Sequence, residues 1–314
     1  PSNASGIVLN NAAGLLKLEG TGTLGAAEVI AASNTGKGVA VNASSTISSL
    51  IIADNASLNV AQGKTLSGST EVLASSTLNL SGTGTFGSTL NLSGTLEAGT
   101  TNTVSGLISV SDNATVSIPK SGTTLTYSGG NLKVGSHTLS IGGSGTFSNA
   151  TGSPLVLDVA DSILDLSGSG TITGPVKLES GTLKSTGSPT ISGSLTQYDD
   201  ATIEVSTNQT LNYTGPSLSL GTNKLTLTGG GTFNNTKALV LNNADSLLSL
   251  EGILVIRDVD GTTASNSGKG IKVTSSATLG DYDLSALSYL DIAANKTLAG
   301  QLNLQTNGEL KTSG

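Results

Sequence analysis

Side chains able to do chemistry are few in this chain and far apart. His137 is the only histidine and Arg257 the only arginine, and there is no cysteine. A Ser-His-Asp arrangement is formally open because serine is abundant, but the internal repeat places Asn223 where His137 stands. The tightest acidic groups are Asp199-Asp200, Asp281-Tyr282-Asp283 and Asp258-Val259-Asp260-Gly261. The last has the look of a calcium loop without the further ligands and distal glutamate of an EF-hand, so it reads as a solvated turn. Polysaccharide lyases and hydrolases need clustered carboxylates or basic groups in one cleft. Scattered acids and one arginine do not supply that. No catalytic, cofactor-binding or metal-binding set is expected, and the chain reads as non-enzymatic.

The elements that would have to position such groups repeat at three nested periods. In the longest, Ile7–Gly82 lies without a gap on Leu239–Gly314, with 28 identities over 76 positions. Val8-Leu-Asn-Asn matches Val240-Leu-Asn-Asn, and Ser33-Asn-Thr-Gly-Lys-Gly matches Ser265-Asn-Ser-Gly-Lys-Gly. A second, shorter period relates the segment from Thr124 to that from Thr210. A module Leu-x-Leu/Ile-x-Gly-x-Gly-Thr starts at Leu16, Leu78, Leu139, Leu164 and Leu225, with a degenerate copy at Leu248. A unit of about 21 residues accounts for all these spacings.

Within each unit, apolar-polar-apolar triplets such as Leu218-Ser-Leu220 and Leu225-Thr-Leu227 recur between Gly, Ser, Thr, Asn and Asp. Alternation at period two marks a strand with one buried face, and the intervening residues favour turns. Three strands and three turns per unit predict an all-β parallel β-solenoid. The period favours a right-handed helix of about 21 residues per coil. The whole of 1–314 is expected to form one elongated domain. Leu164, Leu166, Leu225, Leu227, Leu248 and Leu250 share one slot and are expected to face inward. Phe86, Phe147 and Phe233 occupy one slot of the module and are expected to stack in one corner. Thr-x-Thr pairs such as Thr21-Gly-Thr23 and Thr83-Gly-Thr85 raise ice binding, which needs aligned threonines on consecutive coils. These pairs recur mostly on every third unit, which argues against it.

The net charge of −7 and the lack of a basic patch argue against nucleic-acid binding. No apolar run approaches the length of a membrane-spanning helix. Absence of cysteine excludes disulfides and thiolate metal sites. The first residues lack a signal-like stretch, and the chain reads as a piece of a longer repetitive protein.

Segments such as Ser76–Gly99 and Ile47–Gly68, with their Leu-x-Leu, Gly-Thr-Leu and Asn/Asp-x-Ala-x-Leu patterns, resemble passenger regions of very large bacterial surface proteins. These are the autotransporter adhesins and the filamentous-hemagglutinin-like exoproteins. The resemblance implies a secreted or cell-surface bacterial protein that projects from the cell, with further copies of its own repeat and other cell surfaces or glycans as partners. On that basis the chain is expected to act as a stalk or contact surface. A carbohydrate-binding β-helix is the alternative, and a β-helical polysaccharide-degrading enzyme the third reading.

Overall fold

A computed structural model describes residues 6–253 and 255–313. The described residues contain no helix, so none is long and apolar enough to cross a membrane. The chain divides between Leu155 and Val156 into two compact units. Each unit is a parallel β-solenoid whose coils average about 22 residues.

In the first unit one face is built from Leu15–Leu18, Gly38–Val41, Ala56–Val60, Thr77–Leu80, Thr95–Ala98, Ala114–Ile118 and Thr138–Gly143, paired in that order. In the second unit one face is built from eight strands, the first Ile163–Leu166 and the last Glu309–Ser313. Between successive strands of this first face the chain makes a second and a third. After Thr77–Leu80, for example, come Thr85–Phe86 and then Thr89–Leu92. Alternation fixes which side chains point in: Thr77–Leu80 and Ala114–Ile118 alternate strictly between half-buried and buried positions.

The two copies of the long repeat share one register. In the first copy Leu16 pairs with Val39, Val39 with Leu58 and Leu58 with Leu80. In the second Leu248 pairs with Ile271, Ile271 with Leu290 and Leu290 with Thr312, which gives the same three coil lengths in the same order. Elsewhere the length varies. Paired Asn79 and Glu97 are only 18 positions apart, whereas Asn113 reaches Thr138 across 25. The constant unit expected from sequence is therefore an average. Residues are gained or lost between the strands of the first face, whose pairing keeps its register.

Inside both repeats the second and third faces merge. Ser45–Ile52 and Thr65–Val72 in one copy, and Ala277–Leu284 and Leu298–Leu304 in the other, are long strands bent in the middle. Register slips at Ile47/Leu50 and at Leu279/Asp281 mark the bend. Gly68 and its counterpart Gly300 sit there at φ of 119° and 145°. A Cβ on either would overlap the carbonyl oxygen of Ile47 or Leu279 one coil away, so only glycine lets the backbones stack at this corner. Between the repeats the two faces separate into distinct short strands.

Leu164, Leu166, Leu225, Leu227, Leu248 and Leu250 are all at most 1% exposed, as their shared slot requires. The three phenylalanines also point inward, but they do not form one stack. Phe86 pairs with Val104, whereas Phe147 pairs with Leu125 and Phe233 with Leu211. Unequal coil lengths slide the module along the strand, so one sequence slot maps to two structural ones. The aromatic partners are tyrosines: Tyr127 stacks on Phe147 at 6.4 Å and Tyr213 on Phe233 at 6.2 Å. Each hydroxyl accepts an amide from the preceding coil, Ile108 at 3.4 Å and Leu195 at 3.2 Å. Burial pushes both phenols above their ordinary range, against the lowering effect of those amides.

Candidate functional site

The structure keeps most of the chemistry-bearing residues apart and brings two acidic pairs together. His137 is half-buried in the turn before Thr138–Gly143, and Arg257 is exposed on the strand Val255–Gly261. Asp199 and Asp200 serve a turn: Asp199 accepts the amide of Asp200 at 2.8 Å, and Asp200 accepts that of Lys224 at 2.6 Å. Asp258 and Asp260 lie within a strand, not in the solvated turn expected from sequence. Their register sets Asp258 beside Asp281 and Asp260 beside Asp283 on the next coil. Because the strands are parallel and in register, like charges meet directly. Burial raises the pKa of Asp258, with repulsion from Asp283 and Asp281 adding to it. Burial likewise raises that of Asp260, followed by repulsion from Asp258 and Asp283. On the third coil the column continues as Gln301 and Asn303, and the Asn303 amide donates to Asp283 at 2.7 Å. Among the described residues no group of three or more His, Asp or Glu side chains is arranged to hold a metal ion.

A groove of about 760 Å³ lies in the first unit, on the first face. Its floor is a register column: Ser57 pairs with Asn79 and Asn79 with Glu97. The Asn79 amide donates to Glu97 at 2.5 Å, and the hydroxyls of Ser57 and Ser81 share a hydrogen bond of 3.0 Å. Thr100 donates to the Gly82 carbonyl at 2.7 Å on the same side. One wall is the turn Ser33–Gly36, and Pro119 and Lys120 line the groove from the turn beyond Ala114–Ile118.

That wall is held in place by a device found in both repeats. The Lys37 amide donates to Asn34 O at 2.9 Å, closing a turn through Gly36 at φ 71°. Ser33 and Asn34 then donate to Asn55 O and Ala12 O, both at 2.7 Å, tying the turn to the coils on either side. A Cβ on Gly38 would overlap Ser57 O, which explains the second glycine of Gly-Lys-Gly. The second copy repeats every part: Lys269 to Asn266, Ser265 to Leu287, Asn266 to Ala244, and Gly270 against Tyr289 O.

The floor differs at three positions. Tyr289, Glu309 and Lys311 replace Ser57, Thr77 and Asn79. Lys311 pairs with Glu309 at 3.6 Å and lies 6.0 Å from the Tyr289 ring centre. Bulky side chains that interact with one another thus stand where the first copy presents small hydroxyls and amides. Sequence reading missed this groove because its floor draws on three coils. The only available signal was the exchange of small polar residues for large ones at fixed positions of the long repeat.

Threonines also align in a way the spacing argument did not foresee. On the second face of the first unit Thr65 pairs with Thr85, Thr85 with Thr103, Thr103 with Thr126 and Thr126 with Ser148. These are consecutive coils. The expectation of recurrence on every third unit fails because it assumed a constant unit length.

No protein-family model matches the chain, and no curated protein or solved structure does.

Proposed function

We propose that this chain is a non-catalytic segment of a large secreted or cell-surface adhesin-like protein, acting as a stalk or contact surface. One observation carries the reading. Two copies of the repeat keep the same coil lengths, turn bonds and corner glycines, while their outward side chains are largely exchanged. A fold maintained in that way serves as a frame on which surfaces vary. Stacked parallel strands and a continuous apolar interior give such a frame stiffness.

The test is adhesion of beads coated with the chain to a panel of cells, with turnover of pectin-like polymers measured in parallel. Adhesion above that of beads coated with an unrelated solenoid, without turnover, is the expected result. No adhesion to any cell would remove the contact role and leave the stalk. Release of sugar that a single acidic substitution abolishes would overturn the non-catalytic reading.

A second reading, a carbohydrate-binding β-helix, is favoured by the groove of Ser57, Asn79 and Glu97. Hydroxyls, amides and one carboxylate are the groups that hydrogen-bond sugar hydroxyls. Binding on a glycan array that is lost in Ser57→Tyr would support it, and an empty array would count against it.

A further inference from the structure

We propose that the second face of the first unit binds ice. This goes beyond the adhesin reading and rests only on the solenoid geometry. The column Thr65, Thr85, Thr103, Thr126, Ser148 places one hydroxyl on each of five consecutive coils. Two residues upstream, Thr124 stands beside Thr146, and Thr101, just before the strand Asn102–Val104, accepts the Thr124 amide, which adds a second row of hydroxyls. Rungs of a parallel sheet are about 4.8 Å apart, and residues i and i+2 about 6.6 Å apart. The face is thus a two-dimensional lattice roughly 19 Å long. A ligand that repeats in two dimensions is what such a lattice can match, and the oxygens of crystalline water repeat on comparable spacings.

Four features separate this face from an ordinary polar sheet. First, the hydroxyls are free: Thr65, Thr85, Thr103, Thr124, Thr126 and Ser148 make no side-chain hydrogen bond within the described chain, and Thr101 only accepts the amide of Thr124 at 3.2 Å. Second, the strands Thr85–Phe86, Asn102–Val104, Thr124–Tyr127 and Thr146–Asn149 carry no charged residue that would hold water in its own orientation, and on Thr65–Val72 the one charge, Glu71, lies beyond the bend at Gly68. Third, the side chains are stiff. Threonine is restricted at χ1, and the strands rest on Phe86, Val104, Leu125, Tyr127 and Phe147, all at most 1% exposed. Fourth, threonine offers a methyl group beside each hydroxyl, so the face can order water over its methyls and bond it through its oxygens.

The second unit lacks this combination on the corresponding face. There Thr190 pairs with Asn212 and Asn212 with Asn234, and the two amides bond to each other at 2.7 Å. Ser188 bonds Gln209 at 3.0 Å.

The experiment grows a polycrystalline ice shell slowly from a solution of the full chain and measures its partition into the solid, with ice recrystallisation inhibition on the same samples. A soluble protein of similar size without ice affinity sets the baseline. The chain should enter the ice above that baseline and keep crystals small. Thr103→Lys and Thr126→Lys should each lower the partition by about tenfold, because many weak contacts act together. Circular dichroism and melting temperature should stay at the parent values, since both positions point outward. Thr190→Lys, on the second unit, should partition as the parent does. If a lysine variant fails to fold, Thr126→Val removes the hydroxyl with the shape kept and should still lose partition. Exclusion of the parent chain from ice would overturn the proposal, as would retention by Thr103→Lys or by folded Thr126→Val. Binding to crystalline cellulose with exclusion from ice would overturn it in favour of a polysaccharide surface.

Discussion

The two copies of the long repeat differ most where solvent meets the chain, and where they differ inside, the changes compensate. Val29, Leu50 and Ala56 in the first copy are Gly261, Tyr282 and Ser288 in the second. Tyr282 is larger than leucine and brings a hydroxyl into the interior. Ser288 supplies its hydrogen bond at 2.5 Å, and the glycine at 261 gives up side-chain volume on the neighbouring rung. Burial pushes the Tyr282 phenol up to about 12, with the Ser288 bond acting in the opposite direction. Outside, the copies follow no such rule. The first has a groove of small polar residues and the second an ion pair beside a tyrosine, while the acidic ladder of Asp258, Asp260, Asp281 and Asp283 corresponds to Ala26, Glu28, Ser49 and Ile51. Interior slots are coupled to one another through packing, whereas outward slots are coupled mainly to solvent.

The largest effect should come from breaking the shared frame. Gly68→Ala forces a Cβ into a carbonyl at a positive φ, which should cost about 3 kcal/mol or more. Gly300→Ala makes the same overlap in a coil whose Leu302 and Leu304 are 42% and 55% exposed, so its backbone can yield and the loss should be smaller. Chemical denaturation of both variants checks the order. Equal losses would show that the two corners are equally rigid.

Next in size is the compensated interior. Tyr282→Leu should cost about 2–3 kcal/mol, from the space left behind and the Ser288 hydroxyl left unpaired. Combining it with Gly261→Val and Ser288→Ala rebuilds the arrangement of the first copy and should recover most of that loss. A triple variant no more stable than the single one would show that the three positions are independent.

Smaller again is the acidic ladder. Asp258 and Asp260 have folded-state pKa values above the ordinary carboxylate range. Protonation is therefore favoured by folding, and the stability these two groups contribute is fully present below the unfolded pKa and is lost as pH rises through the folded one. Asp281→Asn should stabilise the chain by about 0.5 kcal/mol at neutral pH. The gain should vanish in acid and shrink at high salt. Melting curves of parent and variant across that window test the sign. A gain that persists in acid would mean that packing, not charge, is responsible.

The smallest effect on stability is expected from exchanging outward residues. Ser57→Tyr with Thr77→Glu and Asn79→Lys gives the first copy the exchanged floor residues of the second, and stability should change by no more than about 0.5 kcal/mol. A larger loss would show that the groove floor helps to hold the coils together.

Much of this interior was readable from the chain alone. Leucines such as Leu164 and Leu227 stand out because strand alternation leaves a period-two record in the sequence. The gapless match of the two repeats reflects a register that one misplaced residue would invert. Turns leave no such record. Coils of unequal length hide which Thr-x-Thr pairs are neighbours, because adjacency depends on the pairing of Thr85 with Thr103 and not on a fixed count. The ladder of Asp258 and Asp281 was concealed in the same way, since their separation follows the length of that coil and not the average unit. The groove joins Ser33, Asn79 and Lys120, which acquire a common surface only once the coils are stacked.

Variable coil length has a consequence for how such a gene can grow. A coil begins and ends on equivalent strands whatever its number of residues, so a duplicated segment fits if its two ends fall at the same phase of the turn. The copy can then be of any length, with its boundaries on any face. Unequal crossing-over between distant coils would yield folded products far more often than in a globular domain, where each segment has a single place. Length and surface can therefore be inherited separately, one by recombination of whole turns and the other by point substitution.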